Sequence, residues 1–211
     1  TINAMSLESF TALTTSQIAA LGAAQVANLT SDQIQALSTA QARALSGAQV
    51  AALGAANIGF LEAEDLAALS TSAVQALTTG AAGMLASLNE DQILAMTTAQ
   101  IAALTTLQVQ SLTTDTDGQI AQMTSDQIRA FTTAQLAKMA PDQIASIEAD
   151  DIAAMTSAQI RALNANQLSA LAPEQIAAFT TSQILAMTTS QIASFGAAID
   201  DFEAEDFAAL S

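Results

Sequence analysis

The sequence has no cysteine, histidine, tryptophan or tyrosine, and only 4 of its 211 residues are basic. These absences exclude disulfide frameworks, zinc sites built from His or Cys, thiolate nucleophiles and imidazole bases. Serine and threonine are abundant, but without histidine, and with Lys138 as the only lysine, no base is evident to activate a hydroxyl. We therefore expect a protein that is not an enzyme, needs no cofactor and has no small-molecule substrate.

The charge and hydropathy of the chain exclude further classes of protein. Twenty acidic residues give a net charge of −16, which repels a phosphate backbone, so we expect no nucleic-acid partner. Thr and Gln recur too often to leave the roughly 20 consecutive apolar residues that a membrane span requires. A hydrophobic content of 51% opposes disorder. The composition is that of a folded chain that does not cross a membrane.

An eight-residue repeat with the consensus T-T-x-Q-I-x-A-L runs through the chain, for example at 14–21. Eleven-residue variants interrupt it at 78–88 and 113–123, and a seven-residue variant occurs at 196–202. The first and last residues fall within a repeat and not at its boundary. We therefore expect residues 1–211 to form a single continuous array that is a fragment of a longer chain.

The first four positions of the repeat have the features of a helix N-terminus. Position one is usually Thr, Ser, Gly or Asn and position four is usually Gln, which is the spacing of a capping box. Both prolines, Pro141 and Pro173, fall at position two, where a helix tolerates the missing N–H. All acidic residues of the regular repeats lie in positions one to four, while Arg and Lys lie at six or seven, as the helix dipole favours.

The apolar positions predict how these helices pack. Position five is almost always Ile, Val or Leu and position eight is Leu, Met, Phe or Ile, a spacing of three that places both on one helical face. We predict an all-α solenoid of very short helices of about six residues, with positions three and six facing solvent. A β-solenoid is the alternative, because stacked Thr and Gln suit a cross-β structure. The apolar spacing of three and five, and not two, favours the helices.

Two acidic patterns supply candidate calcium ligands, since calcium takes six to eight oxygen atoms. The sequence Asp115-Thr116-Asp117-Gly118 resembles part of a calcium loop, but the later acidic ligands are missing, so a surface bulge is the competing interpretation. The pattern E-A-[ED]-D occurs three times, and its carboxylates are those of Glu62, Glu64, Asp65, Glu148, Asp150, Asp151, Glu203, Glu205 and Asp206. The simpler interpretation, which we favour, is that these acids replace Thr and Gln at the start of a helix.

The runs M-T-T-A-Q-I-A-A-L at 96–104 and E-A-E-D-L-A-A-L at 62–69 resemble the octapeptide arrays of large adhesin-like proteins that Gram-negative bacteria secrete or display. The resemblance covers nearly the whole chain and concerns the repeat consensus only. It implies an extracellular, structural or adhesive role and carries over no catalytic residue.

Two functional hypotheses follow. The first is a structural repeat protein that forms a stalk, a fibre or a self-associating filament at the bacterial surface, with copies joined end to end or side by side. The second is a solenoid binding module that recognises a protein or glycan through positions three and six. The second predicts a cluster of unusual surface residues. Arg43, Arg129 and Arg161 are scattered along the sequence, which argues against it.

Overall fold

The computed structural model describes residues 2–114 and 118–202. These residues form short helices joined by turns and contain no β-strand, which confirms the all-α solenoid and makes the β-solenoid alternative wrong for them. Contacts divide the chain into an N-terminal part, Thr1–Ser111, and a C-terminal part, Leu112–Ser211.

The described helices of the N-terminal part are three to seven residues long. They are the 3-10 helices η1 (Ile2–Ala4) and η2 (Leu85–Ser87) and the α-helices α1 (Leu7–Thr11), α2 (Thr15–Ala19), α3 (Ala23–Val26), α4 (Ser31–Gln35), α5 (Thr39–Arg43), α6 (Gly47–Leu53), α7 (Ala55–Ile58), α8 (Ala63–Ala68), α9 (Thr71–Val74), α10 (Glu90–Ala95), α11 (Thr98–Ala103) and α12 (Thr106–Gln110).

The described helices of the C-terminal part follow the same plan and have four to six residues. They are α13 (Ser125–Ala130), α14 (Thr133–Leu136), α15 (Pro141–Ala145), α16 (Ala149–Ala154), α17 (Ser157–Ala162), α18 (Ala165–Leu168), α19 (Pro173–Ala177), α20 (Thr181–Ala186), α21 (Thr189–Ser194) and the 3-10 helix η3 (Gly196–Asp201).

Each regular helix has its N-cap residue at position one of its repeat and begins at position two, as the capping pattern predicts. Before α11, Thr97 is the N-cap residue in an extended conformation, and its hydroxyl accepts a hydrogen bond from the backbone N–H of Gln100. The side-chain Oε1 of Gln100 accepts the backbone N–H of Thr97 over 2.8 Å. The two bonds satisfy N–H groups that a helix start otherwise leaves without a partner.

Proline and glutamate at the helix starts depart from this arrangement in different ways. Pro141 is the first residue of α15, as predicted, and Gln143 still accepts the N–H of the N-cap residue Ala140 over 2.9 Å. Glu62 and Glu148 are N-cap residues without a side-chain cap bond. These glutamates therefore take the place of threonine at the helix start, as expected, but they do not make its side-chain cap bond, because the short Thr, Ser, Asp and Asn side chains suit this geometry.

Packing between helices follows a fixed interval of three repeats. In the N-terminal part α2 contacts α5 and α5 contacts α8, and in the C-terminal part α14 contacts α17 and α17 contacts α20. Side chains from positions five and eight fill the interior between them, for example Ile101 and Leu104. Because one short helix cannot bury its apolar face alone, each depends on helices about 24 residues away in the sequence.

The two long variants share the same hydrogen bond at their start. In 78–88 the backbone N–H of Met84 donates to the hydroxyl of Thr78, six residues earlier, where a regular repeat has a spacing of three. Gln119 donates to Thr113 in the same manner. In both variants the capping hydroxyl and the N–H group whose hydrogen bond it accepts are thus six residues apart in the sequence. Gly83 is required in the first variant, since a Cβ there would lie 2.6 Å from the Thr79 carbonyl.

The short variant at 196–202 replaces the α-helix with η3. Gly196, at its start, has a φ of 55°, a conformation that favours glycine. The rings of Phe179, Phe195 and Phe202 meet beside it, with the Phe195 and Phe202 centroids 5.0 Å apart in an edge-to-face arrangement. These aromatic contacts give the irregular repeat a packed interior.

Candidate functional site

The most regular chemical feature of the structure is a row of buried glutamines at position four, which we call the glutamine ladder. A glutamine side chain has one carbonyl oxygen and an NH₂ group with two donors. The oxygen is used within the repeat, where it accepts the N–H of the N-cap residue, as Gln100 does from Thr97. The two donors remain available for bonds to another repeat.

Those donors reach backbone carbonyls four repeats earlier in the chain. Nε2 of Gln100 donates to the carbonyl oxygens of Leu66 and Leu69, both over 2.9 Å. Leu66 is at position five and Leu69 at position eight of the earlier repeat. One side chain therefore closes the start of its own helix and holds the end of a helix in a neighbouring turn.

The same bonds recur in both parts of the chain. The glutamines that donate a hydrogen bond from Nε2 to a position-five or position-eight carbonyl include Gln33, Gln41, Gln49, Gln92, Gln100, Gln108, Gln143, Gln159, Gln167, Gln175, Gln183 and Gln191. These glutamines are buried. Helix contacts at three repeats and ladder bonds at four indicate a superhelix with between three and four repeats per turn.

An eleven-residue variant does not break the ladder. Gln49 bonds to Ile18 and Leu21, which are 31 and 28 residues earlier. Gln108, with the variant 78–88 between the partners, bonds to Val74 and Leu77, which are 34 and 31 residues earlier. The interval in residues grows by three while the interval in repeats stays at four. The insertion in 78–88 therefore leaves the ladder bonds between the regular repeats on either side of it in place.

The acidic repeats place a carboxylate in the ladder. Asp65 and Asp151 occupy position four and are 3% and 6% exposed. The hydroxyl of Ser125 donates to Oδ1 of Asp151 over 2.5 Å. Burial, and to a smaller extent the nearby negative charges of Glu62 and Glu64, raise the pKa of Asp65 from 3.8 to about 6. A carboxylate cannot donate as an amide does, so these two positions are exceptions in the ladder.

The predicted calcium ligands are only partly within the described residues. Glu62, Glu64, Glu148 and Asp150 lie at the start of α8 and α16, beside the buried Asp65 and Asp151. No group of three or more carboxylates among the described residues is arranged to hold a metal ion. The remaining candidates lie outside the described residues, and they are Asp115, Asp117, Glu203, Glu205 and Asp206.

Sequence reasoning identified the ladder glutamines only as caps. The signal that could have hinted at their second role is that Gln is kept at position four even where position one is Ala, as in the repeats that start at Ala140 and Ala172. Half of the reciprocal capping box is missing there, although Gln143 and Gln175 still accept the N–H of the N-cap residue. The buried amide therefore has a further partner.

Comparison with protein families finds the ALTTAQ repeat at residues 2–39 and 144–181. Comparison with curated proteins finds no match. The two matched stretches cover less than half of the chain, and one lies in each of its two parts. Together with the helical solenoid, they establish a repeat protein. No helix in the described residues has the length and apolar character needed to cross a bilayer.

Proposed function

We propose that this repeat protein is a non-catalytic structural array that forms a stalk, a fibre or a self-associating filament outside the bacterial cell. The observation that carries the proposal is the glutamine ladder, in which the same side chain makes the same backbone contacts from repeat to repeat. Contacts of this kind hold a periodic scaffold together. They do not depend on any particular functional residue.

Because of the ladder, the array can have any number of repeats, whatever residues occupy the variable positions. Most contacts between the described helices join repeats three positions apart, and the ladder bonds join repeats four apart, so repeats can be added without altering distant parts of the array. The amide recognises backbone carbonyls, which every residue has, and the positions facing solvent are free to vary. An array of this kind suits a protein whose task is to span a distance.

The resemblance of the repeat supports the extracellular location, and a chain without cysteine and with a net charge of −16 is compatible with it. Its repeat consensus resembles the octapeptide arrays of adhesin-like proteins of Gram-negative bacteria. Surface proteolysis of intact source cells tests this part of the proposal. Digestion of the protein in intact cells supports it, and protection until the cells are lysed contradicts it.

Electron microscopy of the isolated chain, with sedimentation velocity over a range of concentrations, tests the assembly. We expect rods that lengthen, or species that grow in mass, as concentration rises. Far-UV circular dichroism of the same samples should show helix throughout. Particles of one size at every concentration would contradict self-association while leaving a stalk possible, and a β-type spectrum would contradict the array itself.

A further inference from the structure

The glutamine ladder is interrupted over four successive repeats in the N-terminal part. Ladder bonds are made by Gln49 before this stretch and by Gln92 after it. Met84 occupies the ladder position of the long variant, because its N–H donates to the hydroxyl of Thr78 as that of Gln119 does in the other long variant. In the four repeats that span 54–88, the ladder position is therefore held by Asn57, Asp65, Ala73 and Met84.

None of these four side chains replaces a ladder glutamine. Ala73 and Met84 have no side-chain donor, and an ionised Asp65 only accepts. The amide of Asn57 is one methylene closer to its backbone than that of Gln, and it makes no hydrogen bond within the described residues. The other side-chain amide in 54–88, that of Gln75, donates over 2.8 Å to the carbonyl of a later repeat. No amide of this stretch therefore reaches an earlier turn.

The carbonyls that a complete ladder would engage lie in the four repeats that span 22–53. They are the position-five and position-eight carbonyls of Val26, Leu29, Ile34, Leu37, Ala42, Leu45, Val50 and Leu53. None of them accepts a side-chain amide from the described residues. Four repeats make up at least one full turn of the superhelix, so one complete junction between turns has no ladder bond. We call this junction, between 22–53 and 54–88, the seam.

Side-chain packing holds the seam together in place of the ladder. Across it α5 contacts α8 and α6 contacts α9. Val50 and Val74, on its two sides, are fully buried. The two sides approach closely at Gly47, where an added Cβ would lie 3.1 Å from the backbone oxygen of Ser72. The seam is thus closed in this structure, but it lacks the inter-turn hydrogen bonds that add stability at the other junctions.

We propose that the solenoid opens first at the seam, while ladder bonds hold the turns on both sides of it together. On one side Gln41 and Gln49 bond to earlier repeats, and on the other Gln92, Gln100 and Gln108 bond to the repeats of 54–88. Separation at the seam therefore leaves two ordered arrays. The opening is a property of the single chain and does not depend on the proposed assembly. It gives the scaffold one defined place at which it yields to heat, denaturant or load.

Two isoleucines at position five provide matched probes, because the chain has no cysteine of its own. Ile34 lies at the seam and its carbonyl accepts no amide, whereas the carbonyl of Ile160 accepts the amide of Gln191 over 3.0 Å. Both side chains are fully buried. A thiol reagent reaches Ile34→Cys or Ile160→Cys only when the chain opens, so the rate of alkylation under native conditions measures opening at each place.

Replacement of Asp65 restores a donor to the seam. In Asp65→Gln the amide has the length and position to bond to the carbonyls of Ile34 and Leu37, as Gln100 bonds to Leu66 and Leu69. Glu64→Gln is the matched control. It removes the same charge from the same helix, but its side chain is exposed and outside the ladder.

Pulsed alkylation of the full chain with these substitutions tests the inference. We expect Ile34→Cys to react at least roughly tenfold faster than Ile160→Cys. Added to Ile34→Cys, Asp65→Gln should slow the reaction roughly fivefold or more, and Glu64→Gln should leave it unchanged. Equal rates at the two probes would overturn the seam, and so would a fast reaction at Ile34→Cys that Asp65→Gln does not slow.

Hydrogen exchange of the unmodified chain measures the same opening without any substitution. Peptides from 22–77 should exchange their backbone amides faster than peptides from 156–194, where the ladder is continuous between turns. Equal protection of the two stretches would contradict the proposal even if a cysteine variant failed to fold.

Discussion

The side-chain amide of Gln49 donates to the backbone carbonyl of Ile18 over 2.8 Å, and the two residues are 31 positions apart. The same side chain accepts the N–H of Ser46 through Oε1, also over 2.8 Å. The same side chain thus makes a cap bond within its own repeat and a ladder bond to a repeat in the neighbouring turn. Helix capping and the stacking of turns are coupled at every such glutamine.

Replacement of a buried ladder glutamine should destabilise the chain more than replacement of an exposed one. In Gln100→Met the side chain keeps its approximate volume, but the carbonyls of Leu66 and Leu69 and the N–H of Thr97 each lose their hydrogen bond to the Gln100 amide. We expect the free energy of unfolding to fall by about 1–3 kcal/mol, because unpaired buried polar groups are costly. Denaturant titration followed by circular dichroism measures this change.

Gln35→Met is the control for that experiment, since its side chain is exposed at position six. We expect it to change the free energy of unfolding by less than about 0.5 kcal/mol. Equal losses in the two variants would show that the amide bonds contribute nothing beyond side-chain size.

Asp65 should make stability depend on pH between about 4 and 6. Its pKa rises from 3.8 to about 6 because of burial and the charges of Glu62 and Glu64. In this range the folded state holds a proton that the unfolded state has lost, so stability falls as pH rises. The contribution of Asp65 is most favourable below pH 3.8 and is lost as pH passes 6. Thermal unfolding at a series of pH values measures the slope.

Asp65→Asn removes the titrating group and keeps a short polar side chain, as Asn57 does at the same position of its own repeat. We expect the variant to have a shallower slope between pH 4 and 6 and to be more stable than the wild-type chain at pH 7. An unchanged slope would mean that Asp65 keeps an ordinary pKa.

Proline should be tolerated at position two and not at position six. Pro141 and Pro173 are each the first residue of a helix. Thr98 has the same place in α11 and an exposed side chain, so Thr98→Pro should change stability little. Ala102→Pro lies inside α11 and should cost about 3 kcal/mol or more. Equal melting temperatures for the two variants would contradict the assigned helix starts.

Calcium should not change the stability of the folded chain. The described carboxylates contain no group that could hold a metal ion, and those of α8 and α16 lie at helix starts. We expect the same melting temperature in calcium and in chelator. A rise with calcium that disappears in Asp115→Asn/Asp117→Asn would instead assign the site to the second long variant.

The helix starts, their register and the buried positions were predictable from the sequence, because residues within a single repeat determine them. The spacing of three between Thr97 and Gln100 specifies the cap, and the placement of Pro141 fixes the register of the helix. The apolar residues at positions five and eight specify the interior. Each of these inferences uses residues within one repeat.

The stacking of one repeat on another was not predictable in the same way. Which repeat lies beside Gln100 depends on the number of repeats per turn, and that number follows from small rotations at each corner that no single residue determines. The missing cap bonds of Glu62 and Glu148 depend similarly on where a longer side chain can reach. The burial of Asp65 becomes visible only when the ladder is known.

A designed disulfide tests the stacking of repeats most directly, because the chain has no cysteine of its own. A Cβ added at Gly47 would lie 3.2 Å from Cβ of Ala76, three repeats later, close to the separation of about 3.5–4.5 Å found in disulfides. In Gly47→Cys/Ala76→Cys we therefore predict a rapid intramolecular disulfide under mild oxidation, seen as a mobility shift without reductant. The pair Ala55→Cys/Ala76→Cys, two repeats apart, should form it far more slowly. Failure of the first pair, or equal rates for both, would contradict the three-repeat stacking.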